Sequence, residues 1–139
     1  MPLRLLIFCM LVAALPAKVM ASTCLPPDPQ QYYEEHRYVF TGTVQSIRSV
    51  GELAVRQEEG LTNTYSFAVV KVDKVLKGRV LGPVKVYANS YWGAPFEPDV
   101  QYLFYTNMYG AFMIAPECGG VTPVGEAVED LRILEEIHP

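Results

Sequence analysis

The chain has few of the residues from which metal and redox sites are usually built. Its 139 residues include only two histidines, three cysteines and one tryptophan. His36 and His138 are far apart in the sequence, and a metal site needs three or four converging ligands. We therefore expect no metal site of the protein's own, and we expect both histidines to be solvated.

Catalytic signatures are also missing. The sequence has no Gly-x-Ser-x-Gly, Cys-x-x-Cys, phosphate-loop or His-Glu-x-x-His motif. Three pairs of adjacent glutamates could in principle serve acid–base catalysis, but adjacent residues on a helix or strand do not face one another. Solvated surface is the better interpretation of Glu34-Glu35, Glu58-Glu59 and Glu135-Glu136. We predict that the protein is not an enzyme and uses no cofactor.

Long hydrophobic runs are absent apart from one at the N-terminus. Arg4 precedes the apolar run Leu5–Leu15, and small or short residues follow at Val19–Ala21. This order predicts a secretory signal peptide over residues 1–21, cleaved after Ala21. No later run approaches the ~20 apolar residues that span a bilayer. We expect a mature domain over residues 22–139, secreted or periplasmic, without a membrane span.

Positive charge is scarce. The chain has 11 Lys and Arg against 15 Asp and Glu, and two of the basic residues, Arg4 and Lys18, lie in the predicted signal. The mature chain then carries a net charge near −6. Proteins bind nucleic acid largely by neutralising phosphates, so we predict no nucleic-acid partner.

Loss of the signal also removes Cys9 and leaves an even pair, Cys24 and Cys118. In an oxidising compartment we expect these two to bond, which would stabilise the fold by roughly 2–5 kcal/mol. A second interpretation is lipidation of Cys24. It is disfavoured because Ala21 and Thr23 stand where a lipoprotein signal prefers Leu and a small residue.

Periodicity predicts a short helix over Gln30–His36 and then mostly strands, with a polar loop over Gly51–Thr62. Gly42 in mid-strand predicts a bulge or a tight barrel corner. The five predicted strands are Tyr38–Ile47, Tyr65–Leu76, Val84–Ala88, Tyr102–Thr106 and Ala111–Ile114.

The last element is predicted to be a helix, with Thr122 as N-cap and Pro123 at its first position. Its apolar residues recur at helical spacing and form one face: Ala127, Leu131, Leu134 and Ile137. Five strands and a terminal helix fit an all-β, small closed barrel, because closure removes exposed strand edges.

Aromatic residues concentrate in the second half of the chain. Alternation puts Tyr102 and Phe104 on one face of a strand and Tyr105 on the other, so we expect some rings to point outward. Core packing is favoured over an aromatic platform for a protein, glycan or single-stranded ligand. The loop around Tyr91 and Trp92 is the exception to this preference for packing.

Four segments, in order, resemble motifs of the tissue-inhibitor-of-metalloproteinases-like, netrin-type OB-barrel family, which has secreted bacterial members. They are Tyr38–Val44 (similar to VFxGxV), Val72–Gly78 (VxxVxKG), Gly93 with Tyr102–Tyr105 (CG…YLVY), and Cys118 with Ala127–Leu134 (C…A…DL…L). The resemblance covers nearly all of the mature chain. It implies a five-stranded OB barrel closed by a C-terminal helix.

The departures from this pattern are paired. Family members open Cys-x-Cys, and the first cysteine bonds the cysteine of the CG segment, whereas this chain opens Ser22-Thr23-Cys24 and has Trp92 before Gly93. Both halves of one bridge are absent together. The resemblance therefore implies that the remaining bridge joins Cys24 to Cys118, with Trp92 filling the vacated space.

In inhibitory members, the α-amine and carbonyl of the first residue chelate the zinc of a metalloproteinase. Ser22 would take that place here, without the bridge that holds the first residue still. The resemblance implies a monomeric protein-binding module, and in its sharper form a metalloendopeptidase inhibitor. The alternative is an envelope structural or interaction protein without inhibitory activity.

The expected contact ridge combines Ser22–Pro27, Gly51–Leu61 and Ser90–Phe96. The candidate protease-contact residues are Ser22, Thr23, Cys24, Tyr91, Trp92 and Gly93.

Overall fold

The computed structural model describes residues 25–52, 64–91 and 93–138, the side chains of Gly51 and Glu52 excepted. The predicted signal peptide, most of the predicted Gly51–Leu61 loop, and Ser22, Thr23, Cys24 and Trp92 lie outside these ranges. What was expected of them stays a prediction.

The described ranges contain a short helix, six strands and a C-terminal helix. In chain order they are α1 (Pro29–Glu35), β1 (Tyr38–Glu52), β2 (Thr64–Lys77), β3 (Pro83–Asn89), β4 (Gln101–Tyr109), β5 (Phe112–Ile114), β6 (Val121–Pro123), a 3-10 turn (Val124–Glu126) and α2 (Val128–Ile137).

The six strands form one sheet in the order β1-β2-β3-β5-β4-β6, and β1 also pairs with β4. All of these pairings are antiparallel except the parallel pairing of β3 with β5. Strand pairing therefore leads from β1 through β2, β3, β5 and β4 back to β1. The mainly β fold with a C-terminal helix is confirmed, and the short sixth strand was not predicted.

Gly42 lies where β1 changes register. The partner on β2 moves from Lys74 opposite Thr41 to Val72 opposite Gly42, so the extra residue of this bulge, Asp73, lies on β2 and not on the strand of the glycine. Of the two predictions made from Gly42, a bulge or a barrel corner, the register supports the bulge. A Cβ atom here would lie 2.4 Å from Val70 Cγ1 and 2.9 Å from the backbone oxygen of Lys71. Only glycine lets the two strands approach this closely.

The apolar residues pack into two clusters on opposite faces of the sheet. The first lies within the ring of strands and includes Phe40, Val70 and Phe104. The second lies under the two helices and includes Leu103, Tyr105 and Leu134. We call the second the helix-side cluster.

The predicted start of the C-terminal helix is wrong. Thr122 and Pro123 belong to β6, where they pair with Leu103 and Tyr102 of β4. This pairing keeps them extended, and α2 begins at Val128 after the 3-10 turn, with Ala127 as an N-cap without a side-chain bond. The predicted apolar face is confirmed at three of its four residues, because Ala127 and Leu134 are buried and Leu131 packs against the helix-side cluster.

The expectation that some rings of the predicted strand Tyr102–Thr106 point outward is wrong. Residues 102–106 are all buried. Tyr102 and Phe104 pack inside the ring, while Leu103 and Tyr105 pack in the helix-side cluster. The helices cover the outer face of this strand, so both of its faces are core.

Candidate functional site

Two of the three parts of the predicted contact ridge begin at the same end of the sheet. Glu52 at the end of β1 pairs with Thr64 at the start of β2. The Thr64 carbonyl accepts hydrogen bonds from the backbone N–H of Ser90 at 2.7 Å and from its hydroxyl at 3.3 Å. The two ends of the β1–β2 connection therefore lie beside the start of the Ser90–Phe96 segment.

The loop after β3 is held by short-range bonds. The backbone N–H of Tyr91 donates to Asn89 Oδ1 at 2.9 Å, and that of Gly93 donates to the Ser90 carbonyl at 2.9 Å. Gly93 has a φ of 106°, which favours glycine. Tyr91 is 66% exposed, so these two candidate contact residues are accessible in the structure.

Phe96 does not belong to an accessible ridge. Its ring is 2% exposed and packs in the cluster inside the ring of strands. The next residue, Glu97, donates its backbone N–H to Tyr102 Oη at 2.7 Å, which fixes the loop against β4. The inclusion of Phe96 in the ridge was wrong, because its apolar surface is used as core.

The third part of the ridge, the N-terminal segment, is anchored beside Cys118. Leu25 is highly exposed, but Pro27 packs against Gly119 so closely that a Cβ there would lie 2.9 Å from Pro27 Cγ. Gly119 has a φ of 73°, which also favours glycine. Tyr32 of α1 donates its hydroxyl to the Cys118 carbonyl at 2.7 Å. The start of the described chain is thus fixed against the segment after β5.

The direction of β5 relates this anchor to the rest of the ridge. Because β3 and β5 are parallel, the chain leaves both strands at the same end of the sheet. Ala115, just after β5, donates its N–H to the Tyr87 carbonyl at 2.9 Å. The residue on which the N-terminal segment packs, Gly119, follows β5 by five residues. It therefore lies on the stretch of chain that leaves the sheet at this same end.

Within the described residues, a group of titratable side chains lies under the helices. His36 is buried, and its Nδ1 lies 2.8 Å from the Tyr32 carbonyl, so the expectation that it is solvated was wrong. The ring contacts Tyr32 and Tyr105 at centroid distances of 5.1 Å and 5.8 Å. His36 ends α1, and its ring fills the space between that helix and β4. His138 is exposed, as expected.

Burial raises the pKa of the Tyr105 hydroxyl, and the carboxylate of Asp130 raises it further. Within the described residues this buried hydroxyl has no hydrogen-bond partner. Burial also raises the pKa of Asp130, with a smaller contribution from the charge of Glu129. The Tyr105 ring is enclosed by the packing of the helix-side cluster and is not open to a substrate, so this residue belongs to the core.

The pairs of adjacent glutamates that the structure describes lie on the surface. Glu34, Glu35, Glu135 and Glu136 are all exposed, so the solvated interpretation is confirmed for two pairs, while Glu58-Glu59 lies outside the described residues. Glu135 and Glu136 bond Lys74 and Arg132 at 3.0 Å and 2.6 Å. In the ranges that the structure describes, no three His, Cys, Asp or Glu side chains are grouped as metal ligands would be.

Sequence reasoning missed one surface. Phe67, Tyr87 and Phe112 form a row of contacting rings across the outer face of β2, β3 and β5. The alternation of β2 and β3 carried a signal for it, because the odd-numbered residues of both strands share one face, and lysines accompany the aromatics there.

Comparison with models of known protein families gives no match, and comparison with curated proteins gives no significant match. Among the helices of the described ranges, none is long and apolar enough to cross a bilayer.

Proposed function

We propose that this protein is an exported, non-catalytic protein-binding module with a closed OB barrel of the tissue-inhibitor-of-metalloproteinases-like, netrin type. A five-stranded barrel requires its strands to pair in a ring, and the described pairings return to β1 through β4. In this proposal β6 is an addition outside the ring. The four sequence motifs and their order support the same family.

The observation that carries the proposal is the anchoring of the N-terminal segment beside Cys118. Pro27 packs on Gly119, and Tyr32 bonds the Cys118 carbonyl. Cys24 precedes Pro27 by three residues, which span at most about 11 Å. A disulfide requires two Cα atoms about 4.4–6.8 Å apart, and this reach is compatible with it. The geometry supports the proposed Cys24–Cys118 bond.

The bond would hold the mature N-terminus at a fixed place. With cleavage after Ala21, only Ser22 and Thr23 precede Cys24, so the α-amine and carbonyl of Ser22 would stand close to a pinned residue. Preorganisation of this kind reduces the entropy lost on binding. The sharper proposal is that Ser22 chelates the catalytic zinc of a metalloendopeptidase, while Thr23, Cys24, Tyr91, Trp92 and Gly93 contact the enzyme around it.

Intact mass tests the proposed processing and bond. We expect the protein exported by its native host to begin at Ser22 and to gain the mass of two hydrogens on reduction. A chain that begins at Cys24 with added lipid mass would exclude chelation by Ser22 and indicate a membrane-anchored module. A chain retaining residues 1–21 would contradict export.

Inhibition of a purified zinc metalloendopeptidase tests the sharper proposal. We expect the mature protein to inhibit, and a variant with one alanine added before Ser22 to lose inhibition, because the added residue displaces the chelating α-amine. The extended variant keeps the fold and both cysteines. Lack of inhibition at high micromolar concentration, or equal inhibition by both proteins, would contradict the sharper proposal and favour an envelope component without inhibitory activity.

Paired cysteine variants test the bond by its energy. Cys24→Ala and Cys118→Ala should each lower the free energy of unfolding by about 2–5 kcal/mol. The double variant should lose little more than either single variant, since both break the same bond. Additive losses in chemical denaturation would show that the two residues are not partners.

A further inference from the structure

A row of aromatic rings crosses the outer face of the sheet, away from the helices. In the strand register, Arg48 of β1 is opposite Phe67 of β2, which is opposite Tyr87 of β3. The Phe67 and Tyr87 rings lie 5.3 Å apart between centroids, and Tyr87 lies 5.0 Å from Phe112 of β5. We call Phe67, Tyr87 and Phe112 the aromatic row. All three rings are half-buried, so one side of each reaches the surface.

A shallow, open depression of about 400 Å³ lies beside this row. The parallel register of β3 with β5 covers only Val86 and Tyr87, and the chain turns at Gly110, just before β5. The short pairing leaves a depression between the first half of β3 and the β4–β5 turn. Its lining includes Val84, Lys85, Tyr87, Met108, Phe112 and Met113. Methionines adapt their shape to a bound group, which suits a pocket for an apolar side chain.

The same face is positively charged. Arg48, Lys71 and Lys85 are exposed, and none of them forms an ion pair within the described part of the chain. Lys85 Nζ lies 5.1 Å from the centre of the Phe67 ring. Residues 64–72 and 83–89 contain no Asp or Glu. The patch therefore contrasts with the whole chain, whose net charge is −4.

The nearest acid along β2 is Asp73, which follows Val72. Its Oδ2 accepts hydrogen bonds from Thr43 Oγ1 at 2.8 Å and from Gln101 Nε2 at 3.0 Å. This carboxylate is thus engaged toward β1 and β4, and Lys71 remains available on the other side.

We propose that this face docks an extended acidic peptide segment of a partner protein. An apolar side chain of the segment enters the depression beside Tyr87 and Phe112, and flanking carboxylates meet Lys85, Lys71 and Arg48. Charge complementarity of this kind gives specificity and speeds association. A pocket for one apolar anchor with charges at its rim is the usual composition of a binding hot spot.

The angles between the rings favour a peptide over a glycan. The Phe67 and Tyr87 rings are tilted by 44°, and Tyr87 and Phe112 meet edge to face at 78°. The three rings therefore form no single flat platform on which a row of sugars could stack. Tilted rings leave notches between them, and side chains of an extended peptide fit such notches.

None of the residues of this surface belongs to the proposed contact ridge, and the proposal does not depend on Ser22 or on zinc. A failure of the protease assay would leave it untouched, and its own failure would leave the ridge untouched.

Titration of the ¹⁵N-labelled mature protein with a defined peptide tests the proposal. The probe is an acetylated, amidated octapeptide in which glutamates flank two phenylalanines, and the matched control carries lysine for every glutamate. We expect only the acidic peptide to bind, with amide shifts centred on Phe67, Lys85, Tyr87 and Phe112. No shift at millimolar acidic peptide, equal binding of the basic one, or shifts centred on Tyr91 and Gly93 would overturn the proposal.

A matched pair of variants tests the role of charge. Lys85→Glu should weaken binding of the acidic peptide about tenfold or more, because it places like charges together. Arg37→Glu makes the same change of charge at another cation stacked on a ring, since Arg37 lies 5.2 Å from the Tyr38 ring centre, outside the patch. It should change binding less than about twofold. Equal losses in both variants would overturn the proposal by showing that only net charge matters.

Sedimentation of the free protein tests whether a second copy of the chain occupies this face. We expect a monomer at all concentrations used. Self-association that Lys85→Glu abolishes would mean that the face binds another copy of this chain, which would overturn the proposal of a partner's peptide.

Discussion

The two outer sides of the sheet are built differently. On the side of β1 and β4, both helices pack on the sheet, and Leu103, Tyr105 and Leu134 are fully buried between them. On the side of β2, β3 and β5, the outward residues are exposed or half-buried, as in Lys85 and Tyr87. The side of β1 and β4 is therefore an additional core, whereas the side of β2, β3 and β5 is a surface of rings and cations.

The contrast is visible in the burial along single strands. In β4, five consecutive residues are buried, because core lies on both faces. In β3, burial alternates with a period of two, as it does in a strand with one wet face. A strand's pattern therefore reports what covers its outer face, and this difference makes β3, rather than β4, available to a partner.

The largest expected effect is at the helix-side cluster. Leu134→Ala should lower the free energy of unfolding by about 2–5 kcal/mol, because it leaves a cavity at a fully buried position. Val128→Ala, on the same helix but 67% exposed, should change it by less than about 0.5 kcal/mol. Equal effects in urea unfolding would mean that the helix is not packed on the sheet.

The open side should be less sensitive. Phe67→Ala removes a half-buried ring and should cost about 1 kcal/mol, well below the cost of Leu134→Ala. Chemical denaturation of both variants under the same conditions makes the comparison. A loss at Phe67 as large as that at Leu134 would show that the aromatic row is structural core, and the contrast between the two sides would fail.

Two tyrosines of β4 allow a comparison within one strand. Tyr102 Oη accepts a hydrogen bond from the Glu97 N–H, whereas the buried Tyr105 Oη has no partner among the described residues. Tyr102→Phe should cost about 1 kcal/mol, and Tyr105→Phe should be neutral or stabilising by about 1 kcal/mol. Thermal unfolding distinguishes the two. A clear loss in Tyr105→Phe would reveal a partner for its hydroxyl.

The effect of Tyr105 on the pH dependence of stability has a definite sign. The folded state raises the pKa of Tyr105 above its unfolded value of about 10. Its contribution to stability is therefore fully present below pH ~10 and is lost as pH rises beyond that, when the unfolded chain releases the proton more easily. Tyr105→Phe should lose less stability than the wild type between pH 10 and 11. Parallel losses would contradict the raised pKa.

The smallest expected effect is at the ion pair that joins α2 to the sheet. Lys74 Nζ and Glu135 Oε1 lie 3.0 Å apart, and both side chains are more than half exposed. A double-mutant cycle with Lys74→Ala and Glu135→Ala should give a coupling energy below about 0.5 kcal/mol. A coupling above 1 kcal/mol would mean that charge, and not the apolar face, holds the helix in place.

Much of the fold could be predicted from the sequence, because its signals are local. Alternation located five of the six strands, and Gly42 marked the bulge. The predicted helix start failed because Thr122-Pro123 satisfies a local capping rule, while pairing with β4 is a long-range interaction. Tertiary hydrogen bonds kept Thr122 extended against its local preference.

The site was less predictable for a related reason. Tyr91 and Gly93 could be placed in an exposed loop from local composition, but Phe96, three residues further, is core. Nothing in the order Pro95-Phe96-Glu97 indicates on which side of the chain the ring lies. The aromatic row was missed because its members come from three strands, and only the register brings them together.

The double role of β1 has a consequence for the order of events during folding. One side of β1 pairs with β2, directly after it in the chain, but its other side pairs with β4, so that Tyr38 meets Thr106. A chain that emerges from its N-terminus can form the β1–β2 hairpin early. The backbone groups of β1 that later pair with β4 then stay unpaired until residue 106 has been synthesised. During this interval an emerging chain can add to a neighbour through that edge, so the risk of aggregation is raised until β4 has been synthesised.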